Sequence, residues 1–520
     1  MQCLLDASYE NVTATALAAA AFFLAYQLTF RTVNRGKGTP LTATVVFMAI
    51  AANSLVPMLG TTLEGHALVY SLQTPVTTFA HRLLAAIPLL LANLVAARVR
   101  LLQRPLGVAM DVMRVRELLS QKQIWILAAI GYLTLVLRQS IGHRLPIEAL
   151  KLLEGLNFLP FMLFVLLIPP YFKKTIQQPG LLIVVGIGWA AYAGMGITSR
   201  MALVAPAAVV GFGWLFAFLA GKVQIRTQWL SWGVFLFPFA LLGVGQMALL
   251  SDAIVIERQH RAERTWQENV AATYDTFMDA EKIRNYKDWL AQEMDKLGPD
   301  TWREDYISNP FLSRFTTIKF DDNLLSGFDR LDESSRDIIR EKTLDKLVVQ
   351  LPGPVVLFFR PELDKLEVNS YTMGDLMSSL QGIGFLGGFR TGSLIAHCVA
   401  TLSWVYPIVL FVLYFCIFTL YQTLATQSSN KHLPQIGYTT LAIAFPFQMF
   451  LKMNIEGWHV LASVLIRDFW QLLVLYAIAC YFTRSISKNP YKSNEDFNRD
   501  NLLPPETPAL LPHDIGQRLE

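Results

Sequence analysis

The chain has 520 residues, of which 53% are apolar and only 16% charged, with a formal net charge of +4. Soluble domains carry about 25% charged residues, so the composition excludes an ordinary soluble enzyme and predicts an all-α polytopic membrane protein. The four cysteines, Cys3, Cys398, Cys416 and Cys480, have the spacing of neither a disulfide framework nor a metal cluster.

A bilayer core of about 30 Å takes about 20 apolar residues in a helix. The acidic opening MQCLLDASYEN lacks a basic leader, so the first apolar run is expected to be retained as a helix. Eleven spans are predicted, near 13–30, 41–60, 80–97, 123–138, 152–171, 181–198, 201–220, 229–250, 402–424, 437–453 and 462–482. Basic residues resist translocation and so set orientation. Arg31, Arg35 and Lys37 follow the first span, Arg98 to Lys122 the third, Lys173 and Lys174 the fifth, Lys222 and Arg226 the seventh, and Arg484, Lys488 and Lys492 the last. Strict alternation places all of these on the cytoplasmic side.

The expected organisation is therefore eight spans over 1–250, a large mostly helical extracytoplasmic loop over 251–401, three spans over 402–482, and a disordered cytoplasmic tail over 483–520. Acids concentrate in the loop: residues 251–396 hold 25 Asp and Glu against 18 Lys and Arg. Trp266, Val270, Tyr274 and Phe277 recur at helical spacing, with Glu268, Asp275 and Asp279 on the other face, so an amphipathic helix packed by its aromatic stripe is predicted. LVVQLPGPVVLFFRPEL, at 347–363, carries Pro352, Pro354 and Pro361 and cannot be a regular span. It is expected to lie at the membrane interface or to re-enter the membrane.

Cations on the outward side break the charge trend and are the candidates for anion binding. Arg82, Arg138, His143, Arg144, Lys151 and Arg200 fall there, and guanidinium groups offer a planar fork for phosphate oxygens. Arg200 stands between two apolar spans with almost no loop, where an unbound charge is costly. Pairing with the acidic loop is the simpler alternative for each. Arg390 sits among Gly384, Gly387, Gly388 and Gly392, where backbone N–H groups and a guanidinium together suit an anion, or a tight turn. His397 follows at the membrane entry. A phosphate-binding GxxxxGK[ST], a GxGxxG between strand and helix, an HExxH and a GxSxG are all missing from the sequence. No metal, cofactor or nucleic acid is called for, and the substrate is expected to bring its own leaving group.

Three stretches, TSRMALVAPAAVVGF, FLSRFTTIKFDDNLLSGFD and LPGPVVLFFRPELDKLEVNSYTMGDL, resemble the bacterial O-antigen polymerase family, which is distantly related to the O-antigen ligases. Where ligases show a His-Asn pair, this chain has His397-Cys398. The resemblance implies a metal-independent glycosyltransferase of the bacterial inner membrane, with its large loop periplasmic. It would extend undecaprenyl-diphosphate-linked oligosaccharides into O-antigen or exopolysaccharide, beside a flippase and a chain-length regulator. In that reading Arg200, Arg390, Arg144, Arg360, Arg138 and Lys365 bind the diphosphate and substrate, and His397 and Asp375 are the candidate proton acceptors. A ligase, or a transporter of lipid-linked oligosaccharides, is the alternative.

Overall fold

The structure, a computed structural model, describes residues 1–34, 39–117, 119–141, 145–156, 158–168, 171, 179–197, 200–220, 227–260, 264–297, 302–388, 390–424, 426–427, 436–437 and 455–486. Arg144, His143, the expected span near 437–453 and the tail from 487 lie outside the described residues.

Among the described residues, six segments are long and apolar enough to cross a membrane: Tyr9–Val33, Pro40–Leu63, Pro75–Ala96, Ala202–Leu219, Leu394–Gln422 and Trp458–Arg484. The chain is thus a mostly α-helical protein with the marks of a multi-pass membrane protein. In chain order the first half consists of α1 (Tyr9–Asn34), α2 (Pro40–Leu63), α3 (Pro75–Ala96), α4 (Arg100–Val112), α5 (Gln121–Ile141), α6 (Ile147–Gly155), α7 (Pro179–Gly196), α8 (Met201–Leu219) and α9 (Thr227–Glu257). Pro40 and Pro75 stand in the first turns of α2 and α3, where a missing N–H costs nothing.

One expected span has a different form. Residues 152–171 do not make a regular membrane helix: α6 ends at Gly155, and Leu159–Leu167 winds as a 3₁₀ helix buried over most of its length. It packs on α5 so closely that a Cβ at Gly131 would stand 2.4 Å from the Pro160 ring. The apolar run here is core between helices, and its composition is the same as that of a lipid-facing span.

The segment 251–401 is mostly helical, as expected. It contains α10 (Trp266–Met278), α11 (Ala280–Leu297), α12 (Ile318–Ser326), α13 (Glu333–Val348), α14 (Gly353–Phe359), α15 (Lys365–Asn369), α16 (Met373–Leu380) and α17 (Leu394–Leu402). Its helix starts are written in the sequence. Thr265 and Glu268 form a reciprocal capping box at α10, Thr372 and Asp375 another at α16, and Asp332 accepts from Ser335 N at α13. The aromatic stripe of α10 is only partly enclosed: Trp266 is buried against α7, whereas Tyr274 is half exposed. The remaining helices are α18 (Tyr406–Gln422), α19 (Trp458–Ser463) and α20 (Phe469–Ile486), the last two joined by a π-helical turn over Val464–Asp468. A short antiparallel pairing joins Thr426–Gln427 to Ile436–Gly437.

α12 settles how this acidic segment sits. Although it reads IKFDDNLLS, Ile318 through Leu325 are all buried. Asp322 accepts from the backbone N–H groups of Gln73 and Thr74 at 2.9 and 2.8 Å, and from Lys319 Nζ at 2.6 Å. Asp322 thus takes the N–H of the α3 N-cap residue Thr74 and of the residue before it, and its charge complements the positive end of the helix dipole. α12 thereby ties this segment, the cap, to the start of α3.

Candidate functional site

α3 packs most extensively against α18 and α1. Between α1, α2, α3, α17 and α18 lies a small, partly open crevice. Its walls are mainly apolar, with Ala49, Ile50, Phe79, Leu89 and Leu394 among them, and its polar groups are Asn53, Ser54, Arg82 and Tyr414. The helix that carries Arg82 begins at Pro75, so this arginine lies two turns inside the helix. Arg82 forms an ion pair with the fully buried Asp321 of α12 and donates to Thr317 Oγ1 at 2.7 Å. Asp321 also accepts from Ser393 Oγ, the N-cap of α17. Burial pushes the Asp321 carboxyl above its ordinary range, while Arg82 and Ser393 pull it back. Asn53 Oδ1 accepts from Thr316 Oγ1, Thr317 N and Thr317 Oγ1 at 2.8, 2.8 and 3.0 Å. The cap end of the crevice is thus built from α2, α3, α12 and α17 together.

Beside it, three backbone segments meet at glycines. A Cβ at Gly374 would stand 2.4 Å from Arg390 O, and one at Gly392 would stand 2.8 Å from Glu456 Cα and O. Glu456 holds a left-handed φ of 65°, an uncommon conformation for this residue type. Its carboxylate accepts from Met373 N at 3.0 Å and Gly392 N at 3.2 Å. Burial raises its proton affinity, with the two backbone donors opposing.

The proposed proton acceptors belong to this seam. Asp375 is buried and accepts from Thr372 N at 3.2 Å and Arg390 N at 2.9 Å. His397 is fully buried in α17; its Nε2 lies 2.8 Å from Thr343 Oγ1 and its ring 5.6 Å from that of His459. A Cβ at Gly457 would approach His397 Nδ1 to 2.6 Å. Both groups are enclosed by the fold as it stands.

The proposed cations fall into separate groups. Arg200, 8% exposed, pairs with Glu304 at 3.0 Å and Asp305 at 3.5 Å, and Arg314 also binds Glu304. Arg390 donates to Ile383 O at 2.7 Å and lies over the rings of Trp302 and Phe385. Burial lowers its proton affinity, with Asp375 and Glu304 opposing. Arg200 and Arg390 thus flank the same short segment, 302–305. Arg360 pairs with Asp345 and Glu362, and Lys365 donates to Leu351 O at 2.9 Å, at another edge of the cap. Arg138 is half-buried in the last turn of α5.

Sequence reading named Arg82 as an outward cation but missed its partners Asp321 and Thr317 and their neighbours Ser393 and Asn53, and it missed Glu456 and Lys346. Lys346 is buried and donates to Val368 O and Tyr371 O, both at 2.6 Å. Two adjacent acids between the apolar residues of IKFDDNLLS were the available signal. No protein-family model, no curated protein and no solved structure matches the chain.

Proposed function

We propose that the protein is a membrane glycosyltransferase of the O-antigen polymerase type, extending undecaprenyl-diphosphate-linked oligosaccharide repeat units at the periplasmic face of a bacterial inner membrane. The observation that carries this reading is the crevice itself: apolar walls between membrane helices, closed on the cap side by Arg82, Asn53 and Ser54. Apolar walls of this kind suit an isoprenoid tail at the crevice, and a guanidinium at its end suits a diphosphate head. In the reaction the acceptor sugar hydroxyl attacks the donor's anomeric carbon, the bond to the diphosphate oxygen breaks, and the lipid diphosphate leaves with the electron pair. A guanidinium at that oxygen stabilises the departing charge. The hydroxyl proton passes to a base, and the carboxylate proposed for that step is Asp321, in contact with Arg82. Arg200 and Arg390 contact the 302–305 segment of the cap, which in this reading faces the growing glycan.

The test is the glycan made by cells whose only copy carries Arg82→Gln, with membrane insertion confirmed. Surface lipids bearing single repeat units support a polymerase. Long lipid-linked chains that are never transferred indicate a ligase, and accumulation on the cytoplasmic leaflet indicates a transporter. Unchanged glycans remove Arg82 from the site.

A further inference from the structure

We propose that α14 and the turn after it insert into the boundary layer of the bilayer as an apolar wedge, so that the cap is anchored to lipid as well as to the membrane helices. α14 reads GPVVLFF and follows Pro352; Val356 is its buried residue. Leu357, Phe358 and Phe359 are 62%, 81% and 64% exposed, and Leu366 just beyond is 68% exposed. Water contact of such side chains is unfavourable relative to burial, and clustered exposed apolar groups mark a surface that meets lipid or protein.

The last membrane helix supplies a ruler that puts this patch at the edge of the bilayer. A helix rises about 1.5 Å per residue, so Arg467 and Arg484 stand about 26 Å apart, close to the roughly 30 Å of a hydrocarbon core. Arg467 therefore marks the cap-side boundary. Its Nη1 donates to Gln350 Oε1 at 3.1 Å, and Gln350 lies three residues before α14. Ile466 and Trp470, beside Arg467, are exposed on the lipid-facing stripe of that helix, so the patch continues an apolar surface already turned to lipid. Trp470 at this level is what a membrane boundary selects. Arg360 and Lys365 bracket the turn after α14 and hold their charged ends on the cap, at Asp345 and Glu362 and at Leu351 O. Cationic side chains at membrane interfaces keep their charged ends on the polar side in this way. This inference is independent of the reaction proposed above.

The full-length protein, with Cys3 and Cys416 replaced by Ser, is given Phe358→Cys or Phe359→Cys, labelled with an environment-sensitive fluorophore, and reconstituted in vesicles of phosphatidylethanolamine and phosphatidylglycerol. Glu341→Cys, on an exposed face of α13, is the reference. Both wedge labels are expected to shift their emission to the blue. They should lose about half their fluorescence or more to nitroxide on a shallow acyl carbon, matching insertion by about 5–10 Å, while the reference label does neither. Water-like emission at both wedge positions overturns the proposal. Blue-shifted emission that no lipid nitroxide quenches also overturns it, because protein then covers the patch.

Discussion

Arg82 of α3 and Asp321 of α12 form a buried ion pair that joins a membrane helix to the cap, with Ser393 at the start of α17 as a further partner of the carboxylate. Arg82 lines the cap end of the crevice, so one contact both seats the cap and sets the charge that a ligand in the crevice meets.

Removing one member of a buried pair strands the other, at about 3–5 kcal/mol, whereas replacing both with apolar groups of similar volume is often neutral or stabilising. Arg82→Ala and Asp321→Ala are each expected to lower the thermal unfolding midpoint in detergent strongly. Arg82→Met combined with Asp321→Leu is expected to recover most of that loss. A double variant as weak as the singles would mean that the pair is not isolated from its surroundings.

The meeting of backbones at Gly374, Gly392 and Glu456 leaves no room for a methyl group. Gly374→Ala is expected to destabilise by about 1–3 kcal/mol, the usual range for overpacking. Gly211→Ala, in α8 with nothing within 4 Å of the added carbon, is expected to be neutral or stabilising by up to about 1 kcal/mol. Chemical unfolding of the two variants side by side distinguishes a packing effect from a general intolerance of alanine.

Glu257 supplies a pH dependence with a definite sign. Burial raises its carboxyl, but hydrogen bonds from Arg264, Lys282 and Thr276 outweigh that and bring it from 4.5 to about 2. A depressed carboxylate stabilises the fold fully above its ordinary value and loses that contribution as pH falls through the folded value. The junction of α9, α10 and α11 is therefore expected to loosen between about pH 4.5 and pH 2, seen as faster amide exchange in 264–282. Glu257→Gln should weaken the junction at neutral pH and flatten the response in that window.

Arg200 holds the 302–305 segment through Glu304 and Asp305. Charge-assisted hydrogen bonds of this kind contribute about 1.5–3 kcal/mol. Arg200→Ala is expected to raise amide exchange across 302–315 several-fold, and Arg200→Lys to restore part of the protection. Unchanged exchange would show that Arg314 alone holds Glu304.

The helices α1, α2, α3 and α8 and the last long helix were legible because about 20 apolar residues in a row have few other uses. Residues 152–171 misled because a buried 3₁₀ core helix and a lipid-facing span share one composition; Gly155 and Pro160 were the available warnings. Arg82 stood out through the sidedness of charge, but its partner did not, since pairing between distant segments leaves no local trace. Asp375 shows the opposite difficulty. The same Thr372-x-x-Asp375 spacing that builds a capping box also places a carboxylate where chemistry was expected, and residue type alone does not separate the two. At Arg200 the alternative reading, pairing with the acidic cap, is the contact the structure contains.

The most direct measurement uses purified protein in vesicles, supplied with an undecaprenyl-diphosphate-linked repeat unit and no nucleotide sugar, with product length followed by gel. Wild type is expected to convert single units into a ladder of longer lipid-linked chains. Arg82→Met combined with Asp321→Leu, although folded, is expected to leave them single. A wild-type protein that makes no ladder from a substrate of matched sugar composition, or a double variant that elongates as well as wild type, would contradict the account.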